Sequence, residues 1–295
     1  RIHPIYISTY AVTLKAVHVH SYLLLLDTGM ADRETLSTRF NKAGKSIHNL
    51  SDSLVNAKLV ALLTDRQLYA RALSRFYYVF ASLEQALDEA LKNGDKDVET
   101  FKSLFKEGSI YRTAAFRADL ENLLGANWEV ACSSKSIPLK EYEHHLALLA
   151  STQPRLLLAH SYTQHLAIAA GGQAVRRIVR KHLALPEGVC TTAFEFKGES
   201  SNTLKTKFKS VFDEWGRGLS EEAVQELTAE HLTAFQYNNA IIRTFPIPSS
   251  AVVKGVLCIT PRPVVLVALA LVALLVALII PWLAHGLRQA TTRAI

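Results

Sequence analysis

The chain has 295 residues, of which 49% are hydrophobic, and a formal charge of +7. It can bury a real core, and its positive charge favours a negatively charged partner. Its three cysteines (Cys132, Cys190, Cys258) are far apart and form no Cys-x-x-Cys pair, which argues against a disulfide framework or a structural zinc site and favours a reducing compartment. Few glycines and prolines, with many helix formers, predict an all-α protein.

Residues 1–29 differ from everything that follows, because they are rich in β-branched and aromatic residues and have no helical period. Their apolar run is too short to span a bilayer, and no clear secretory cleavage site follows it. The chain's only methionine, Met30, precedes a polar, helix-capping sequence. We therefore expect Met30 to be the natural start, with residues 1–29 either outside the native protein or disordered.

The pattern from Met30 to Phe245 is helical almost throughout and predicts one domain over residues 30–245. Asp65 opens a strong helix that Asn93-Gly94 ends. Further helices are predicted over 98–124, 138–150, 152–185, 202–215 and 221–243, with a short extended segment at 191–196.

The helix predicted over 152–185 contains two adjacent glycines, Gly171 and Gly172. Each costs about 1 kcal/mol relative to alanine in a helix interior. Such a pair indicates either a bend in a core helix or a place where the backbone approaches something flat and bulky. The residues alone leave both interpretations open.

The C-terminal part begins with a predicted linker over 246–263, which holds four prolines. An uncharged apolar run follows, and residues 264–284 would span about 31 Å as a helix, close to the hydrocarbon thickness of about 30 Å. This pattern predicts a transmembrane tail anchor at 264–284, a short polar tail at 285–295 and a globular domain in the cytosol.

Few side chains form a recognisable constellation. His144 and His145 point to different helix faces and have no partner at i+4, so a metal site is not expected there. No P-loop, no G-x-S-x-G and no H-E-x-x-H motif occurs.

His48 follows Lys42 and Lys45 on an early helix. A neutral imidazole can hold a heme iron, and ammonium groups can hold its propionates.

The basic run after the glycines contains Arg176, Arg177, Arg180 and Lys181. It lacks the interleaved aromatic residues of a nucleic-acid surface, so no nucleic-acid partner is expected. Two interpretations remain, which are docking of an acidic protein and a solvated helix face.

Several segments together resemble the heme oxygenase family, in the family's order. They are KSIHNLSDSLVNAKLVALL, RFYYVFASLEQAL, LLLAHSYTQHLAIAAGGQAVRRIVRKHLALPEG, TAFEF and LKTKFKSVF. The similarity covers residues 36–245, and AHSYT…GGQ followed by PEG…TAFEF is its most specific part. The predicted tail anchor is similar to that of the membrane-bound members.

The resemblance implies an all-α, heme oxygenase-like multi-helix single domain plus a C-terminal transmembrane helix. It implies oxidation of heme by O2 to biliverdin, CO and Fe2+, with electrons from NADPH–cytochrome P450 reductase. It further implies biliverdin reductase as a partner, and an endoplasmic reticulum membrane location with the domain facing the cytosol.

The resemblance also implies roles for individual residues. His48 would be the axial ligand of the heme iron, and Lys42, Lys45, Tyr162 and Lys209 would lie on the propionate side. Gly171 and Gly172 would let the helix backbone sit close to bound O2. The basic face that meets the reductase would comprise Arg176, Arg177 and Lys181.

The chain departs from the family in the distal part of the site. Active members have Gly-Asp where this chain has Ala167 and Ile168, and the family aspartate orders a water chain that delivers protons. Ile168 can neither accept nor donate a hydrogen bond. Phe80 replaces a tyrosine of the same network, and Asp213 replaces an arginine that pairs a propionate.

Two functional hypotheses follow from these departures. The first is a working heme oxygenase with an altered distal pocket, in which Ala167, Ile168, Gly171 and Gly172 take the catalytic positions. The second is a membrane-anchored heme-binding or heme-sensing protein with little or no turnover, because the distal carboxylate is missing.

Overall fold

The computed structural model describes residues 34–49, 53–106, 109–186, 188–196, 198–260 and 263–264, and among them the side chains of 46–49, 53–57, 59, 256 and 259 are not described. The described residues form helices and no strand, which confirms the all-α prediction. The first six α-helices are α1 (Leu36–Asn49), α2 (Ser53–Thr64), α3 (Arg66–Lys92), α4 (Lys96–Glu99), α5 (Thr113–Leu124) and α6 (Trp128–Ala131). The others are α7 (Ile137–Thr152), α8 (Leu157–Leu183), α9 (Ser201–Arg217), α10 (Glu221–Arg243) and α11 (Ser249–Ile259), with 3-10 turns at Pro154–Leu156 and Thr192–Phe194.

Two long helices, α3 and α8, carry the core. Helix α3 packs against α7 and α5, and α8 packs against α10, α9 and α2. One large apolar cluster joins α3, α7, α8, α9 and α10. A second cluster, formed by α3, α5, part of α8 and the Thr192–Phe194 turn, lies on the other side of α3. Since α8 contributes to both clusters, its position is fixed from both sides.

Helix boundaries follow the local signals where the cap is a nearby side chain. The Asp65 carboxylate accepts hydrogen bonds from the backbone N–H groups of Gln67 and Leu68, and so caps α3. Asn93 and Gly94 end this helix, and Gly94 has a positive φ of 75°. The predicted start and end of α3 are therefore confirmed.

Three predicted elements are wrong in detail. The long helix begins at Leu157 instead of Thr152, because Thr152 is the last residue of α7 and the 3-10 turn at Pro154–Leu156 separates the two helices. The helix predicted over 98–124 is interrupted, because the Glu84 carboxylate accepts the backbone N–H groups of Arg112 and Thr113 and starts α5 there. The segment predicted as extended at 191–196 contains a 3-10 turn.

The segment predicted as a linker, 246–263, is a further correction. Its residues 249–259 form α11, which packs along α2. A Cβ added to Gly255 would lie 3.1 Å from the backbone N of Ala61, so the two helices are in close contact here. The Lys58 ammonium group donates to the carbonyls of Arg243 and Phe245 at 2.6 and 3.0 Å, which ties the chain leading into α11 to α2.

We expect a fragment that ends at residue 245 to be less stable than one that ends at residue 260. Ala251 and Val252 pack against the large cluster, and losing this buried apolar area costs about 2 kcal/mol. Urea unfolding of the two fragments measures the difference. Gly255→Leu in the longer fragment is the matched variant, because its side chain would push α11 off Ala61. Equal stability of all three proteins would show that α11 contributes nothing.

No helix in the described ranges is both long and apolar enough to cross a bilayer. The predicted anchor lies outside the described residues, apart from its first residue, Val264. Residues 1–29 lie outside them as well.

Candidate functional site

One face of α8 is open and carries only small side chains. Ala167, Ala170, Gly171 and Ala174 are exposed and lie on the same side of the helix, while the residues between them are buried or half-buried. Among the described residues, no atom lies within 4 Å of the place where a Cβ on Gly171 would sit. Over residues 167–174 the helix therefore presents a flat surface, which we call the open face.

The two glycines of α8 have different surroundings. Gly171 borders the open face, whereas Gly172 is buried and faces the Thr192–Phe194 turn. A Cβ on Gly172 would lie 3.0 Å from Cδ1 of Phe194 and 3.6 Å from Cγ2 of Ile168. Gly172 thus permits close packing behind the helix, and only Gly171 leaves room in front of it.

Ile168 lies on the packed side of α8. It is 9% exposed and belongs to the second apolar cluster together with Phe80, Phe116 and Phe194. The Phe80 ring packs 5.0 Å from Phe116 and edge-on to His165 at 5.3 Å. Ile168 therefore lies among apolar side chains, whereas Phe80 contacts both an apolar ring and the imidazole of His165.

A buried carboxylate holds the turn that supports α8 from behind. Asp119, on α5, is fully buried and accepts the backbone N–H groups of Thr192 and Ala193 at 2.9 and 2.8 Å. These are the first N–H groups of the 3-10 turn that places Phe194 against Gly172. Sequence reading did not single out Asp119, because its two partners lie more than 70 residues away.

We expect Asp119→Ala to lower the free energy of unfolding by about 2–4 kcal/mol, since it leaves one buried and one half-buried N–H group without an acceptor. Chemical denaturation at neutral pH measures this loss. The matched control is Glu121→Ala, which removes an exposed carboxylate from the same helix and should change stability by no more than about 0.5 kcal/mol. Similar losses in both variants would contradict a supporting role for Asp119.

Tyr162 connects α8 to the first helix. It is 4% exposed, and its hydroxyl lies 3.4 Å from both Ser37 O and Asn41 Oδ1. Burial, together with the nearby charge of Asp213, raises the pKa of Tyr162, so the hydroxyl stays protonated.

Asp213 accepts the backbone N–H and the hydroxyl of Ser37 at 2.7 and 2.8 Å. Asp213 therefore caps the start of α1, which accounts for a carboxylate at this position.

The predicted iron ligand and its lysines lie on α1 and α9. His48 is in the last turn of α1, and its side chain is outside the described part of the structure. Lys42 and Lys45 are exposed on α1, and Lys42 forms a 2.6 Å ion pair with Glu34. Lys209 is half-buried on α9, which packs against both α1 and α8.

The predicted basic face lies at the C-terminal end of α8. Arg177 and Lys181 are exposed. Arg176 is half-buried, and its Nε lies 2.9 Å from Glu195 Oε1, next to the Thr192–Phe194 turn. Arg177 and Lys181 are consequently the two members of this face that a partner would reach most directly.

A buried polar network that sequence reading missed lies at the N-terminal half of α8. The Tyr142 hydroxyl lies 2.8 Å from His160 Nδ1 and accepts a hydrogen bond from Gln164 Nε2 at 3.0 Å. The amides of Gln164 and Asn238 pair with each other at 2.9 and 3.2 Å. Its members come from α7, α8 and α10, so no local spacing in the sequence connects them.

Comparison with known proteins places the chain among its relatives. The family model described as heme oxygenase matches residues 34–244. The crystal structure of heme oxygenase 2 from Chlamydomonas reinhardtii without heme is 54% identical, with a TM-score of 0.70, and covers 73% of this chain and 99% of that one. Heme oxygenase-2 from Synechocystis sp. PCC 6803, solved in complex with heme and NO, is 25% identical with a TM-score of 0.60, over 71% of this chain and 84% of that one. Heme oxygenase 2 of Rattus norvegicus is 25% identical over 78% of this chain and 70% of its own length.

The family match covers most of the chain, and the 54% identical structure aligns over nearly its whole length with the same helical fold. This chain therefore belongs to the heme oxygenase family.

Proposed function

We propose that this protein is a heme oxygenase, which cleaves heme oxidatively to biliverdin, CO and Fe2+ with O2 and electrons from NADPH–cytochrome P450 reductase. The observation that carries the proposal is the open face of α8, where Ala167, Ala170, Gly171 and Ala174 project at most a methyl group. A planar ring fits such a face, because nothing holds it away from the backbone. Family membership supports heme as the substrate, and one relative is known in complex with heme.

Heme, when bound, supplies the iron at which O2 is reduced. In the proposed arrangement, His48 would hold the heme iron, and Tyr162, Lys45 and Lys209 would hold the propionates. Lys42 is the weaker propionate partner, because it already pairs with Glu34. The apolar cluster around Ile168 excludes water from behind α8. The reductase docks on the basic face of Arg176, Arg177 and Lys181, and biliverdin reductase takes up the product.

The location is part of the same proposal. Residues 264–284 anchor the protein in the endoplasmic reticulum membrane, with the helical domain in the cytosol. The uncharged apolar run of this segment supports an anchor, and so does its length, which is close to the bilayer thickness. Since α11 lies between Phe245 and this run, the anchor would follow closely after the folded domain.

One assay tests the activity. Residues 30–260, which include α11, are mixed with hemin and then with the reductase and NADPH. Collapse of the Soret band into the absorption spectrum of biliverdin is expected. A Soret band that persists through repeated additions of NADPH would contradict the enzyme.

We expect His48→Ala to remove the axial imidazole and with it the absorption spectrum of a histidine-ligated heme. Addition of free imidazole should restore that spectrum, because the small base can enter the vacated place. His144→Ala is the matched control, since His144 is exposed on α7 and should not affect the spectrum. A His48→Ala protein with the wild-type spectrum would refute the assignment.

A second candidate function is supported by the apolar side chains of Ile168 and Phe80. With no carboxylate and no tyrosine hydroxyl at these two positions, the chain could bind heme at a membrane without turning it over. Loss of proton delivery costs about 10²–10⁴-fold in rate. The same assay separates the two functions, because a binder gives a stable Soret band and an enzyme does not.

A further inference from the structure

Three polar side chains from three different helices converge beside the buried network. His145 of α7 and His160 of α8 each place Nε2 close to one carboxylate oxygen of Glu230 on α10, at 2.6 and 2.7 Å. One ligand atom from each residue lies within 4.8 Å of the others. Two imidazoles and one carboxylate are the ligand set of many zinc sites that keep a further coordination position open.

We propose that His145, His160 and Glu230 form a binding site for a divalent transition-metal ion, with Zn2+ as the reference ion. Ligand atoms around tetrahedral zinc lie about 2.1 Å from the ion and hence about 3.4 Å apart. Each nitrogen–oxygen pair would therefore have to open by less than about 1 Å, which side-chain rotation can provide.

The chemistry of the three side chains suits a divalent cation. Imidazole and carboxylate groups are ordinary ligands of zinc. Here the Oε1 atom of Glu230 is the point on which the Nε2 atoms of both imidazoles converge.

The solvent exposure of the three side chains would let a metal ion reach the site. The side chain of His160 is fully buried, that of Glu230 is 14% exposed and that of His145 is 23% exposed. The buried imidazole fixes the position of the site, and the half-exposed one gives an ion access from solvent. Water can complete the coordination on the His145 side.

The surrounding network can hold His160 in the required tautomer. A metal ion on Nε2 requires the proton on Nδ1, which lies 2.8 Å from the Tyr142 hydroxyl. The Tyr142 hydroxyl would then accept a hydrogen bond from the Nδ1–H group of His160. Its own proton would turn toward the side-chain amide of Gln164. If the amides of Gln164 and Asn238 both rotate by 180°, their two mutual hydrogen bonds are kept with donors and acceptors exchanged. No partner in the network is lost on metal binding.

The experiment uses the full-length protein in detergent and compares Zn2+ binding in matched variants by calorimetry against a weak zinc buffer. Wild type is expected to bind one more equivalent of Zn2+ than His145→Ala and Glu230→Gln. Tyr142→Phe should keep the site but weaken it by about 10–100-fold, because it removes the partner of Nδ1. The control is His144→Ala, the exposed neighbour on the same helix, which should bind as wild type does.

Cobalt gives a second readout that does not depend on stability. Co2+ in a site with two imidazoles and a carboxylate should give a visible absorption band that is missing from the folded His145→Ala variant and disappears on addition of Zn2+. Equal Zn2+ stoichiometry and affinity in wild type and His145→Ala would overturn the proposal. An absent cobalt band would overturn it as well. In either case the three residues would be only an internal ion pair.

Discussion

Gly171→Leu is expected to lower heme affinity by up to about a hundredfold while the helical fold stays intact. A leucine side chain on the open face would stand where the proposal places the porphyrin plane, and overpacking of this kind costs about 1–3 kcal/mol, of which the upper end is about a hundredfold in affinity. The fold should not suffer, because no described atom lies within 4 Å of the new Cβ and leucine is a better helix former than glycine. Hemin titration followed at the Soret band measures the affinity, and thermal unfolding measures the fold.

Gly172→Ala is the matched control, because it adds a single methyl group on the opposite side of the same helix turn. This methyl would meet Phe194 at 3.0 Å, so any cost appears in stability, whereas heme affinity should stay within a few-fold of wild type. If Gly171→Leu binds hemin as wild type does, the open face is not the heme surface and the proposed function loses its main support.

The helices themselves could be predicted from the sequence, because their signals are local. Asp65 and Asn93-Gly94 set the ends of α3 through contacts within a few residues. The break before α5 could not be predicted, because the acceptor for its first N–H groups is Glu84, on another helix. The segment 246–263 looked like a linker for a similar reason. Its prolines are visible in the sequence, but the groove along α2 that receives α11 is not.

In the candidate site, too, the features with local signals could be predicted from the sequence and those set by long-range contacts could not. The resemblance to the family points to α8 and its two glycines, but only the structure separates Gly171 at the open face from Gly172 behind it. The i+4 spacing around His144 and His145 predicts no metal site, because it carries no information about Glu230, which lies against His145 from 85 residues away. Long-range polar contacts of this kind have no periodic signal in the sequence.

The second large prediction rests on the hypothesis that Ile168 stands where active members of the family have an aspartate. Ile168→Asp restores a carboxylate, but it places that carboxylate among Phe80, Phe116 and Phe194. Such surroundings raise the pKa of a carboxyl group and make its burial cost about 1–3 kcal/mol without a hydrogen-bond partner. A neutral, poorly partnered acid orders water weakly, so the single variant should raise turnover only slightly.

The double variant Ile168→Asp with Phe80→Tyr should raise turnover by about tenfold or more, because proton delivery is worth about 10²–10⁴-fold in rate. The tyrosine hydroxyl gives the new carboxylate a partner, so the two changes should be more than additive in single-turnover biliverdin formation. Ile168→Asn with Phe80→Tyr is the control, since it keeps the polarity without an ionisable group and should gain little. If both double variants gain equally, polarity rather than proton delivery limits the rate. If neither gains, the missing carboxylate is not what restrains this protein, and other groups already deliver protons to the open face of α8.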